Sequence, residues 1–247
     1  MNEFKIAFEQ LVRFTLPEKL QDTEKATVYH RIIYFLPLVG LLVGLAMYIA
    51  ASILFSIVPN AGVAVIICAA ALPILQWWLY GGRNFTAVNT TLAHWHAGGV
   101  FSGSSDGSGI EKSQWAFTIF NILIGLKMLA VGLLVYFNFT PWLIIVPLLA
   151  ATTYAEAFAQ EEEKGNDEGS GSIPVHWCIA GVVTLIIAGL LNKLIAGLFV
   201  LVVAWLAAPY IEKQIRNKST VNDDTVYRAV MEIVEIAVLW IGLLAIQ

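Results

Sequence analysis

No charged side chain interrupts the chain between Arg31 and Arg83, or between Lys127 and Glu156. About 20 apolar residues cross the hydrocarbon layer of a bilayer, so a series of such uncharged runs reads as spanning helices rather than one buried soluble core. Charged residues make up only 13% of the chain, against about a quarter in a soluble domain. The pattern predicts an all-α membrane protein, a polytopic bundle forming a single integral-membrane domain over 1–247. About seven transmembrane helices are expected, at Ile32–Val58, Ala61–Tyr80, Gln114–Phe137, Pro141–Ala157, Pro174–Leu191, Leu194–Tyr210 and Val226–Ile246. Pro59-Asn60, Asn138 to Pro141 and Asn192-Lys193 read as tight connections, and segments 81–113, 158–173 and 211–225 as longer polar loops.

Phe4, Ala7, Phe8, Leu11 and Val12 recur at helical spacing, with Glu3, Lys5, Glu9 and Arg13 elsewhere on the wheel. This predicts a short N-terminal amphipathic helix ending near Pro17, either lying in the membrane interface or packed as an ordinary helix. The mixture of charges is unlike a secretory signal, so the first span is expected to be retained. With the N-terminus in the cytoplasm, twelve Lys and Arg residues fall on the cytoplasmic side and only Lys193 opposite, Lys127 lying within a span. That asymmetry predicts a multi-pass cytoplasmic (inner) membrane protein whose polar chemistry, acids included, is on the cytoplasmic face.

The formal net charge of −4 argues against a nucleic-acid partner. Cys68 and Cys178 lie in apolar runs and suggest neither a disulfide framework nor a metal cluster. Four polar features remain. Glu161-Glu162-Glu163, with Asp167 and Glu168 beyond, is oxygen-rich and could suit Mg²⁺, or could be a solvated acidic run. Asp223-Asp224 is followed by Glu232 and Glu235, which are three apart and share a helix face near the entrance of the last span. Lys127, inside NILIGLKMLAVG, could hold a phosphate, pair with a carboxylate, or snorkel toward the surface. His94-Trp95-His96 could chelate a metal from an extended strand, but on a helix the two rings point to nearly opposite sides. Residues 98–109, GGVFSGSSDGSG, read as a low-complexity loop.

Taken in order, short motifs along the chain resemble those of the cobalamin synthases, the adenosylcobinamide-GDP ribazoletransferases. EQLVRFTLP is similar to that family's QFLTRxPxP at Arg13 and Pro17; RIIYFLPLVGLLVG (Arg31 to Gly44) resembles R-x-x-x-x-F-P-[LV]-[IV]-G-x-x-x-G; Gly81-Gly82 match the pair before the main motif. FAQEEEKGN resembles Y-A-R-x-x-G-L-G, and DDTVYRAVMEIVE resembles G-D-T-x-G-A-x-x-E-x-x-E with a gap one residue different. The resemblance implies transfer of GDP-activated cobinamide phosphate to α-ribazole or its 5′-phosphate, with GMP leaving and Mg²⁺ stabilising the charge. It implies Asp224 and Glu232 as catalytic acids, Glu161, Asp224 and Glu232 as metal ligands, and Arg13 and Lys127 as substrate contacts. Corrinoid and nucleotide are the implied partners beside the lipid bilayer, and a homo-oligomer is compatible with it.

One departure bears on activity. The family's L-H-x-D-G-x-A-D-x-x-D aligns with RNFTAVNTTLA, so Asn84 stands for the His, and Thr86, Thr90 and Ala93 for the three Asp. Phosphoryl transfer depends on metal ions to neutralise moving charge, and a hydroxyl supplies no carboxylate. A catalytically degenerate paralogue, acting as a membrane corrinoid- or nucleotide-binding protein or as a scaffold, is therefore the alternative expectation. A small transporter, which would want polar residues in the middle of several spans and Gly- or Pro-broken helices in matching halves, has less support, since beyond Lys127 the sequence offers few.

Overall fold

The computed structural model describes residues 2–12, 32–96, 108–163, 175–218 and 221–244. Among these, nine α-helices and no strands occur. They are α1 (Asn2–Leu11), α2 (Leu36–Ile57), α3 (Ala61–Leu79), α4 (Arg83–His96), α5 (Ser108–Tyr136), α6 (Trp142–Glu163), α7 (Val175–Leu190), α8 (Leu194–Lys218) and α9 (Asp223–Leu244).

Four helices are long and apolar enough to cross a membrane: Leu36–Ile57, Ala61–Leu79, Gln114–Tyr136 within α5, and Leu194–Lys218. Only 22% to 33% of the residues in their apolar windows are buried inside the bundle. Ile53, Ile66, Phe117, Ile195 and Leu206 all stand more than half exposed. Outward apolar surface on this scale is what lipid covers and water does not. The other three expected spans are also helical but fall short of that measure. Trp142–Ala157 and Val175–Leu190 are shorter apolar helices, and α9 carries Asp223, Asp224, Arg228, Glu232 and Glu235.

Local chemistry explains where the helices stop. Asn60 caps α3, its side-chain oxygen accepting from the amides of Gly62 at 3.0 Å and Val63 at 3.2 Å. Three helices end in the same left-handed turn. In α5 the amides of Asn138 and Phe139 reach back to the carbonyls of Val135 and Leu134, and in α7 those of Asn192 and Lys193 reach Gly189 and Ala188. In α3 the amides of Gly81 and Gly82 close on Trp78 and Trp77. Asn138 and Asn192 sit at φ 57° and 56°, and Gly81 and Gly82 at 62° and 74°, the backbone that this helix-ending motif requires. The expected tight connections at Asn138 and Asn192 are thus present.

The segment expected as a polar loop over 81–113 contains α4 and the start of α5, α6 runs on to Glu163, and α8 to Lys218. Residues 98–107 of the low-complexity stretch lie outside the described residues.

Helix α6 occupies the centre, buried on nearly every side from Trp142 to Ala157. It packs antiparallel to α9. Trp142 Nε1 donates to the Val238 carbonyl at 3.0 Å near one end, and Tyr154 meets Asp224 and Tyr227 near the other. Against α2 the approach is closer still: a Cβ added at Gly44 would lie 2.7 Å from Ile144 Cα, and one at Gly40 would strike Pro147 and Ala151. The small-residue spacing Gly40–Gly44 therefore works as a helix-contact face. Helix α1 rests on the start of α2 through Phe4, whose ring meets Phe35 edge-on at 6.0 Å.

Candidate functional site

Charge enters the interior along one stripe of α9. Asp224, Arg228, Glu232 and Glu235 follow at spacings of four, four and three, so all four side chains share a face over about 17 Å. At the outer end Asp224, half exposed, accepts from the Tyr154 hydroxyl at 2.7 Å and from Arg228 Nε at 2.9 Å. Beside it, Arg216 of α8 holds Glu212, Asp223 and the Tyr227 hydroxyl.

Further in, Lys127 of α5 meets both glutamates. Its ammonium donates to Glu232 Oε1 at 2.5 Å and to Glu235 Oε2 at 2.7 Å, with the Phe85 ring 5.3 Å away. Lys127, Glu232 and Glu235 are 1%, 2% and 0% exposed. Of the three uses open to Lys127 in the sequence, pairing with carboxylates is the one observed. The other oxygen of Glu235 accepts from Gln76 Nε2 at 2.7 Å and from the Tyr80 hydroxyl at 3.3 Å, both at the C-terminal end of α3. The Gly81-Gly82 turn then starts α4, which lays Asn84 over Met231 and Phe85 over Lys127. Four helices thus meet on one ammonium and two carboxylates.

The residues expected to act together do not all converge. Asp224 and Glu232 are eight residues apart on one helix, about 12 Å, too far for one Mg²⁺ ion with bonds of about 2.1 Å. Each is already engaged by a cation, Arg228 or Lys127. Glu161 belongs to the last turn of α6, but its side chain lies outside the described set, as does all of Arg13. Among the described residues, no three His, Cys, Asp or Glu side chains form a metal-binding group. Thr86, Thr90 and Ala93 share one face of α4, the outward one; Thr86 is exposed and its hydroxyl donates to the Gly82 carbonyl at 3.0 Å. His94 folds back on its own helix, Nδ1 lying 2.9 Å from the Thr90 carbonyl oxygen, and His96 has no described side chain.

Compared with family models, curated proteins and solved structures, the chain finds no match. The site therefore stands on its own geometry.

Two features were not read from the sequence, the donor pair Gln76 and Tyr80 on Glu235 and a join outside the site. Gln76 is the one amide side chain in the run Ala61–Tyr80, and an isolated amide in an apolar helix is itself a signal. The second is a separate join between α6 and α7, where Glu156 Oε2 accepts from His176 Nε2 at 2.8 Å and Trp177 Nε1 at 3.1 Å. Neither pairing follows from spacing, because the partners come from different helices.

Proposed function

We propose that this chain is a cytoplasmic-membrane protein crossing the bilayer seven times with its N-terminus inside. In this reading it is a divergent relative of the ribazoletransferases that no longer performs metal-dependent transfer and serves as a membrane scaffold. One observation carries the functional part: the outward face of α4, where the resembled family's acids align, presents Thr86, Thr90 and Ala93. Hydroxyls and a methyl do not hold Mg²⁺ against a diphosphate. The acids nearby on α9 are paired with Arg228 and Lys127, so a divalent ion would sit against a resident cation. The described donors do not fit Mg²⁺. The cleft that Glu232 lines amounts to about 10 Å³, the room of about one water molecule.

The shorter α6 fits a seven-span reading because it is enclosed by other helices, and α7 fits it because Val175, Val182, Ile186 and Leu190 give it an exposed apolar face suited to lipid. A helix surrounded by other helices can be flanked by wetter protein and need not match the full hydrocarbon thickness. The test is a transfer assay on membranes carrying the chain, with Mg²⁺, GDP-activated cobinamide and α-ribazole or its 5′-phosphate, beside an active relative. No cobalamin product is expected here while the relative forms it. Product above the empty-membrane background would restore the transferase reading, with Asp224 and Glu232 as its acids.

A further inference from the structure

At the end of the bundle opposite Asp224, the chain turns from α2 to α3, from α5 to α6 and from α7 to α8, and α9 ends. Segments 56–63, 134–145, 186–200 and 236–244, which gather there, carry a single charged side chain, Lys193. Every Asp and Glu of the chain lies elsewhere. Lys193 is half-buried in the turn between α7 and α8. Its amide donates to the Ala188 carbonyl at 2.7 Å, and its carbonyl accepts from the Gly197 amide at 3.0 Å. The backbone is thus fixed by both helices, while the ammonium has no acidic side chain at its end of the molecule. Lys127, Arg216 and Arg228, by contrast, are each paired with a carboxylate.

Lys193 also lines a cavity of about 690 Å³ between the ends of α7, α8 and α9, within the range of about 300–1,000 Å³ usual for small-molecule sites. Its polar lining is Lys193 and the exposed Asn192 beside it. The rest is apolar, with Ala196 and Phe199 from α8 and Ile241 and Leu244 from α9. From Lys193 to Phe199 is six residues, about 9 Å along a helix. The cavity therefore runs from the charged turn inward beside α8, one of the helices long and apolar enough to span. Phe199 and Leu244 are more than half exposed, so its wall is open to the surrounding lipid. One polar end and one apolar length match an amphiphile.

We propose that this cavity binds one anionic phospholipid, its phosphate on Lys193 and Asn192 and an acyl chain along Ala196, Phe199 and Ile241. Charge complementarity selects the headgroup. An ammonium at a membrane surface is stabilised by a net negative lipid, and no side chain of the protein competes for it at this end. A zwitterionic lipid also offers a phosphate, but it brings its own ammonium, which Lys193 repels. The stem of Lys193 can lie on the apolar wall with its charged end at headgroup level, and the Asn192 amide adds N–H donors for phosphate oxygens. The inference rests on the reading of α8 as a membrane span, and on neither its sidedness nor any transfer activity.

The test places a bimane fluorophore on Leu198→Cys, exposed on α8 beside the cavity, in a background of Cys68→Ala and Cys178→Ala. The full chain is held in phosphatidylcholine nanodiscs containing increasing fractions of tail-brominated phosphatidylglycerol or tail-brominated phosphatidylcholine. Half-maximal quenching is expected at an about fivefold lower fraction of the anionic lipid, the factor given by about 1 kcal/mol per cation near the surface. Lys193→Gln should abolish that preference, and Lys193→Arg should keep it. Ala196→Trp, which fills the cavity, should abolish it too; if that variant fails to fold, Ala196→Leu replaces it with a reduced preference expected. Equal quenching by the two lipids overturns the inference, as does a preference that survives Lys193→Gln or cavity filling. Loss of the preference on adding inorganic phosphate would identify a free anion as the occupant and reject the lipid. Quenching by neither lipid would reject the span reading of α8 along with the site.

Discussion

Lys127 is the residue on which the interior turns, because two carboxylates from α9 share its single ammonium. Breaking a buried ion pair from one side costs about 3–5 kcal/mol, since the remaining charge keeps its desolvation penalty and loses its partner. Lys127→Met should therefore lower the melting temperature in detergent sharply. Adding Glu232→Gln and Glu235→Gln should return most of the loss, because neutral amides need no counter-ion. Thermal melts of the single and triple variants check this, and a single variant as stable as wild type would show that the lysine is dispensable. The sequence placed Lys127, Glu232 and Glu235 in or near spans and put the two glutamates on one face. It could not say which carboxylate the lysine meets, since helices 105 and 108 residues apart in the chain are joined only by packing. Gln76 was legible in principle, as the lone amide of an apolar helix, and its partner was not.

Helices α2 and α4 show two ways in which glycine shapes an element. On α2, Gly40 and Gly44 let the backbone of α6 come so close that a methyl at Gly44 would meet Ile144 Cα at 2.7 Å. Gly44→Val should cost about 1–3 kcal/mol as an overpacked contact, seen as a lower melting temperature with helix content retained. The pair was readable as a motif, but that it faces α6 was not. At the α3–α4 turn the demand is conformational. Gly82 has φ 74°, and a Cβ there would also lie 2.9 Å from Trp77 Nε1. Gly82→Ala should lose about 1–2 kcal/mol through the left-handed backbone alone, measured by the same melts; an unchanged midpoint would mean that the turn relaxes freely. Helix α4 itself was hidden by its Thr and Asn content, which favours turns and caps. Yet Asn84, Ala87, Val88 and Thr91 are its buried positions, and their i, i+3, i+4, i+7 spacing is the pattern of a packed helix.

At the scale of the whole molecule, hydropathy finds elements and charge orients them, but neither orders the packing. The apolar runs marked the helices because lipid demands long uncharged stretches. They also disguised α6, which is apolar because it is enclosed by protein and not because it faces lipid. The same ambiguity separates four helices that qualify as spans from three that do not, and an experiment on sidedness resolves it. Twelve Lys and Arg residues against Lys193 alone set the expected orientation. In a background of Cys68→Ala and Cys178→Ala, single cysteines placed by Arg83→Cys and Lys193→Cys mark opposite ends. A membrane-impermeant maleimide added to intact cells should label the cysteine at 193 and spare the one at 83 until the cells are permeabilised. Labelling at both positions would break the span count between them, since three crossings by α5, α6 and α7 put 83 and 193 on opposite sides, whereas two or none would leave them on the same side. Reversed labelling would keep an odd number of crossings and invert the bundle, moving the Asp224 end of α9 outside the cytoplasm.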